Sequence, residues 1–121
     1  MTKPSSLSGT AGESLAAAHL RRSGYEILSR NLRVGGVEID ILARRDDTLC
    51  LVEVKTRKSN AYGAPEEYVD VRKRRRLIRA GKLLLQRKAH RDHSLRFDVV
   101  AVTAGGEASR VRHIEGAFEE A

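Results

Sequence analysis

The chain contains no tryptophan, one cysteine, one methionine and two prolines in 121 residues. Its aromatic residues are Tyr25, Tyr62, Tyr68, Phe97 and Phe118. A surface that stacks successive single-stranded bases needs more rings than this, so a reader of backbone charge and shape is expected instead. Cys50 has no partner for an internal disulfide and sits in an apolar run, which predicts a small buried hydrophobe in a reducing compartment. No stretch approaches the length of a membrane span, and Met1–Gly9 lacks the apolar segment of a leader. A cytoplasmic protein with no membrane partner is the expectation. Internal repeats are absent as well.

Basic charge is abundant. Lysine and arginine number 23 against 16 aspartates and glutamates, a net charge of +7. Such an excess favours an anionic partner, in the first place nucleic acid. The length suits one core, so residues 1–9 are expected as a polar tail and 10–121 as a single domain.

Hydrophobic periodicity predicts a helix from Thr10 to about Ser23, closed by Gly24, and a strand over Tyr25–Ser29. Asn31-Leu32-Arg33 then leads to a turn at Gly35-Gly36. Two further strands, Val37–Ala43 and Leu49–Arg57, flank the polar Arg45–Thr48 segment as an antiparallel hairpin. Residues 58–64 read as a connection, with Pro65 and the glutamates after it as a helix opening, followed by a long helix over Val69–Lys88. His90-Arg91-Asp92-His93 has no further cysteine or histidine at zinc-site spacing and reads as a loop. An apolar strand over Leu95–Thr103, expected to be central, a turn at Gly105–Glu107 and a short strand over Arg110–Ile114 complete the order, before a loose acidic end. Helix, three strands, helix, two strands predicts an α/β fold: a central mixed β-sheet flanked by helices.

The hairpin carries an unusual amount of acid. Strict alternation places Val37, Ile39, Ile41 and Ala43 on one face and Glu38, Asp40 and Leu42 on the other. In the next strand Leu49, Leu51, Glu53, Lys55 and Arg57 share a face, opposite Cys50, Val52, Val54 and Thr56. Burying unpaired carboxylates is costly, so these acids require a neutralising partner. A solvated sheet face with Lys55 paired to Glu53 or Glu38 is one solution. A divalent cation held by Asp40 and Glu53, with Lys55 beside it, is the other; oxygen ligands of this kind suit Mg²⁺. Glu13, in line with Ala16, Ala17 and Leu20, either complements the positive helix end or faces the same site. On the long helix, Arg72, Lys73, Arg74, Arg75, Arg76, Arg79 and Lys82 form either a solvated face or a phosphate-binding one.

Taken together, Gly12-Glu13, Asn31-Leu32-Arg33, Glu38-Ile39-Asp40, Val52-Glu53-Val54-Lys55-Thr56-Arg57, Gly63 with Pro65, Lys73 and Arg96-Phe97-Asp98-Val99-Val100 resemble the bacterial YraN family. That family is similar to the PD-(D/E)xK nuclease superfamily, with its restriction-endonuclease-like fold, and to archaeal Holliday-junction resolvases. The resemblance implies a metal-dependent endonuclease acting on phosphodiester bonds of DNA, branched or structured DNA included. Asp40 takes the place of the lone aspartate, Glu53 and Lys55 match the E-x-K pair, and Glu13 matches the helix glutamate. By the same resemblance Asp40, Glu53, Glu13 and the Val54 carbonyl are the ligands of Mg²⁺ or Mn²⁺, and Lys55 orients water or stabilises charge. Glu38 is a further acid that can instead serve as a salt-bridge partner. Arg57, Arg72, Lys73 and Arg76 are expected to hold phosphates without reading bases, and a homodimer is implied. The rival expectation is a nucleic-acid-binding protein of nuclease-like fold that performs no chemistry.

Overall fold

The computed structural model describes residues 9–57, 69–103 and 110–119. Its elements are α1 (Gly9–Arg22), β1 (Glu26–Val34), β2 (Val37–Arg45), β3 (Thr48–Arg57), α2 (Val71–Leu85), β4 (Ser94–Thr103) and β5 (Arg110–Phe118). The predicted connection over residues 58–64, the opening at Pro65, the turn at Gly105–Glu107 and most of the polar tail lie outside the described residues.

All five strands form one sheet in the order β1-β2-β3-β4-β5. Neighbours are antiparallel except β3 and β4, which run parallel. A parallel pair cannot be closed by a tight turn, and α2 lies in the crossover between these two strands. The two helices cover opposite faces. On one, Ala16, Ala17 and Leu20 of α1 pack with Tyr25, Ile41, Cys50, Val52, Val100 and Val102. On the other, Leu77, Ala80 and Leu84 of α2 pack with Ile39, Leu42, Leu51, Phe97 and Val99. This is an α/β fold with a mixed sheet between two helices, compatible with the restriction-endonuclease-like fold.

Element order matches the periodicity, and the boundaries move outward or inward for local reasons. β1 runs on through Asn31-Leu32-Arg33 to Val34, and β5 continues past Ile114 to Phe118, which stacks on Phe97 at 5.1 Å between ring centroids. α2 is shorter than the predicted span: Asp70 caps it by accepting the Lys73 N–H at 2.9 Å, and Gln86 closes it. His90–His93 is a turn, as expected. Cys50 is buried and reduced, and burial pushes its thiol up to about 12.

Strict alternation fails in β2. Ile39 packs on the α2 side and Ile41 on the α1 side, although they were expected on one face. The break falls at Asp40, across from an unusual backbone conformation in the neighbouring strand. Asn31, between the pairs Arg30↔Ile41 and Leu32↔Ile39, has φ 54°, a left-handed conformation that asparagine tolerates.

Candidate active site

At the same place the sheet forks. β2 and β3 pair from Arg45↔Thr48 as far as Ile41↔Val52. Beyond that, β2 stays with β1 through Val34↔Val37, and β3 stays with β4 through Arg57↔Thr103. In the opening, the Asp40 carboxylate takes the place of a backbone acceptor: its Oδ2 receives the Val54 N–H at 2.8 Å. N–H and C=O of one strand residue lie along the same edge, so the Val54 carbonyl faces the fork beside Asp40.

One residue earlier on β3, Glu53 is 6% exposed, one of two buried carboxylates among the described residues. Its Oε2 lies 3.6 Å from Lys55 Nζ and 3.7 Å from Lys73 Nζ. Its Oε1 is buried with no hydrogen-bond partner. Burial, followed by repulsion from Asp40, raises the Glu53 pKa, and the two ammonium groups pull in the opposite direction. The carboxylate is therefore short of positive charge even with two lysines beside it.

Glu13 approaches from α1. Gly12, the preceding residue, has its backbone so close to β3 that a Cβ there would stand 2.3 Å from Thr56 Oγ1. Burial and then Asp40 raise the pKa of Glu13, while a hydrogen bond from Asn31 and the charge of Arg30 lower it. Arg30 Nη2 is 3.8 Å from Glu13 Oε1 and also bonds Ser14 Oγ at 3.3 Å. Asp40 thus lies in the field of both glutamates, whereas Glu13 is anchored to β1 and Glu53 to α2. Among the described residues, no three His, Cys, Asp or Glu side chains come close enough together to hold one ion between them. Glu38 is exposed on β2, and it raises the pKa of Glu13 as the weakest of the influences on that group.

The donor set fits a hard divalent cation. Two part-buried carboxylates that repel each other, one with an unused oxygen, and a strand-edge carbonyl supply oxygen ligands only. Mg²⁺ takes one or two carboxylates and completes its shell with water and phosphate oxygens.

Arg72, Arg75, Arg76, Arg79 and Lys82 are exposed on α2. Arg74 is not part of that surface: its Nε donates to the Val69 carbonyl at 2.7 Å and its guanidinium lies over Phe118. Arg57 is half-buried at the end of β3. Lys73 was expected among the phosphate-holding residues, and its ammonium reaches Glu53. The signal was present in the helical phase, because Lys73 precedes the buried Leu77, Ala80 and Leu84 by four, seven and eleven residues.

A second polar cluster escaped assignment in the sequence. Asp98 on β4 is fully buried and accepts two bonds from Arg96, both 2.9 Å, one from the Gly116 N–H at 3.0 Å, and faces His113 Nε2 at 2.7 Å. Burial would raise its pKa, but the bonds from His113, Arg96 and Gly116 reverse this and hold it below the usual carboxylate range. Tyr25 joins the cluster by donating to Glu115 Oε2 at 2.6 Å and accepting from Arg96. The cluster ties β5 and the loop between α1 and β1 to β4. An aspartate inside a run as apolar as Phe97–Val102 was the available sign of it.

The model of uncharacterised protein family UPF0102 matches residues 12–102, a span that contains Glu13, Asp40, Glu53, Lys55, Lys73 and Asp98. The chain belongs to the UPF0102 family. This is the YraN family that the motifs resemble. A UPF0102 protein of Geobacter sulfurreducens is 46% identical over 112 residues, covering 92% of this chain and 88% of the relative. One from Geobacter metallireducens is 44% identical over 92% of this chain and 91% of its own length, and one from Flavobacterium johnsoniae 39% identical over 91% and 92%. No helix among the described residues is long and apolar enough to cross a membrane.

Proposed function

We propose that this UPF0102 protein is a metal-dependent endonuclease that hydrolyses phosphodiester bonds in DNA, with branched or structured DNA as its substrate class. The observation that carries the reading is the fork between β2 and β3, where Asp40 and a buried Glu53 with a bare oxygen stand beside the Lys55 ammonium. Asp40, Glu53 and the Val54 carbonyl would hold Mg²⁺ or Mn²⁺, with Glu13 as the third acid behind Asp40. When bound, such an ion neutralises charge on the phosphate and lowers the pKa of water.

The chain's own groups have separable roles. Asp40 is fixed by the Val54 N–H, so its free oxygen is directed without rotamer loss. The lysines that flank Oε2 of Glu53 oppose the effect of its burial and leave Oε1 available. Lys55 is a compact point charge on a flexible stem, suited to follow the charge that builds on a phosphoryl oxygen. Arg57, Arg72 and Arg76 supply backbone contacts that position the duplex and carry no sequence information. A homodimer acting on two strands of a branched substrate in the cytoplasm completes the proposal.

A second reading also has support. Glu53 is already paired with two lysines, and no three-acid cluster is gathered among the described residues, as expected for a nucleic-acid-binding protein of the same fold that performs no chemistry. A cleavage screen decides between the two, with Mg²⁺ and Mn²⁺ over duplex, flap, single-stranded and four-way substrates. Metal-dependent cleavage of a structured substrate supports the nuclease. Binding to all of them with no cleavage under either ion selects the second reading.

A further inference from the structure

Lys73 sits badly as a mere surface residue. It lies in the first turn of α2, at a positive helix end whose one acid, the capping Asp70, is turned to the Lys73 backbone N–H. Its ammonium turns away from the exposed arginines of α2 and approaches the buried Glu53, sharing Oε2 with Lys55. The sequence offers Glu53 one lysine from its own strand, and the fold adds a second from across the sheet face.

We propose that Lys73 is a phosphate-positioning residue of the site itself, a second ammonium that balances Glu53 in the free protein and passes to a non-bridging oxygen of the scissile phosphate when DNA binds. Two lysines on one carboxylate oxygen is more cation than that oxygen requires once a divalent ion shares the carboxylate. One ammonium would then be free to take the incoming phosphate as its acceptor. The substrate contact is therefore made by α2 and β3 together. The proposal rests on the nuclease reading for the phosphate, whereas the position of Lys73 beside the cation site is independent of it.

The test compares Lys73→Gln, Lys73→Arg and Arg76→Gln. In Mn²⁺ calorimetry on the DNA-free protein at pH 8, Lys73→Gln is expected to bind the ion roughly three- to tenfold more tightly than wild type, because a cation close to the ligand set has been removed. Lys73→Arg restores the wild-type affinity, and Arg76→Gln leaves it unchanged. In cleavage at saturating DNA, Lys73→Gln lowers kcat by about 100-fold, the scale of losing one donor to transition-state charge, while DNA affinity moves less than about threefold. Arg76→Gln does the reverse for binding: affinity falls and the salt slope drops by about 1.

The proposal is overturned if Lys73→Gln behaves as Arg76→Gln does, with unchanged Mn²⁺ affinity, weaker DNA binding and a shallower salt slope. Loss of Mn²⁺ binding in Lys73→Gln also overturns it, since the lysine would then be organising the ligands structurally. The two readings fail separately. A wild-type protein that binds Mn²⁺ but cleaves nothing removes the nuclease reading, and the Mn²⁺ comparison still judges where Lys73 acts.

Discussion

Replacing Glu53 by glutamine should stabilise the metal-free protein. Three contributions set the magnitude. A buried charged group with one oxygen unpaired costs at least about 1–3 kcal/mol, and repulsion from Asp40 adds to it. Against these stand the contacts to Lys55 and Lys73, at 3.6 and 3.7 Å. Both lysine side chains are about a third exposed, so each contact contributes less than about 1 kcal/mol. The raised pKa of Glu53 fixes the sign of the balance, since the neutral form is favoured in the folded state. Glu53→Gln is then expected to add on the order of 1 kcal/mol, several degrees in Tm for a chain of this size. The pH dependence follows from linkage. Below the ordinary value of 4.5 the carboxyl is protonated in folded and unfolded chains alike, and the variant has no advantage. As pH rises through the elevated folded pKa, wild type loses stability and the gap opens. Thermal melts from pH 4 to 8 in chelator read this directly, and Mg²⁺ should then close the gap by stabilising wild type alone. A variant less stable than wild type at pH 8 without metal would refute the reasoning, as would a gap that does not shrink on acidification.

Three further outcomes follow from other parts of the molecule. Asp98→Asn leaves Arg96 without its buried counter-charge and should cost about 3–5 kcal/mol in denaturant unfolding. Because the Asp98 pKa is depressed, the stability it contributes is complete above about 4 and should be lost as pH falls through its folded value, which an acid titration by circular dichroism checks. Gly12→Ala places a methyl against the stiff Thr56 side chain. Overpacking of roughly 1–3 kcal/mol exceeds the gain in helix propensity of about 1 kcal/mol, so a net loss near 1 kcal/mol is expected in the same unfolding assay. Removing both Arg72 and Arg76 should weaken binding to any DNA and reduce the slope of log K against log salt by about 2, measured by fluorescence anisotropy.

Much of this architecture was legible because it depends on period and punctuation. The apolar stripes of α1 and α2, the polar segment at Arg45–Thr48 and the apolar run of β4 each specify their element locally. What escaped depends on contacts between distant parts of the chain. Alternation in β2 breaks at Asp40, across from Asn31 of the adjacent strand with its φ of 54°, and no pattern within β2 records this. The fork follows from β3 remaining with a partner more than forty residues further along the chain, as the Val52↔Asp98 pair shows. Asp40, Glu53 and Lys55 were identifiable as acids and base on a hairpin, yet the bare Oε1 of Glu53 and the second lysine on Oε2 exist only once α2 lies across the sheet. Glu13 illustrates the limit in the other direction: its helix position allowed either a capping or a site role, and the fold gives it neighbours from both, Asn31 and Arg30 on one side and Asp40 on the other. The Asp98 cluster joins Tyr25, Arg96, His113 and Gly116 from two strands and the loop before β1, a pattern no spacing could reveal.

Asp40 and Glu53 are proposed to form a cation site at which phosphodiester bonds are cut. Single-turnover cleavage of a labelled four-way junction by wild type and by Asp40→Asn, with Mg²⁺ and with chelator, tests this most directly. Cutting by wild type that requires the ion, is abolished in Asp40→Asn and is accompanied by unchanged junction binding is the predicted result. Equal cutting by both proteins, or cutting that persists in chelator, would contradict it.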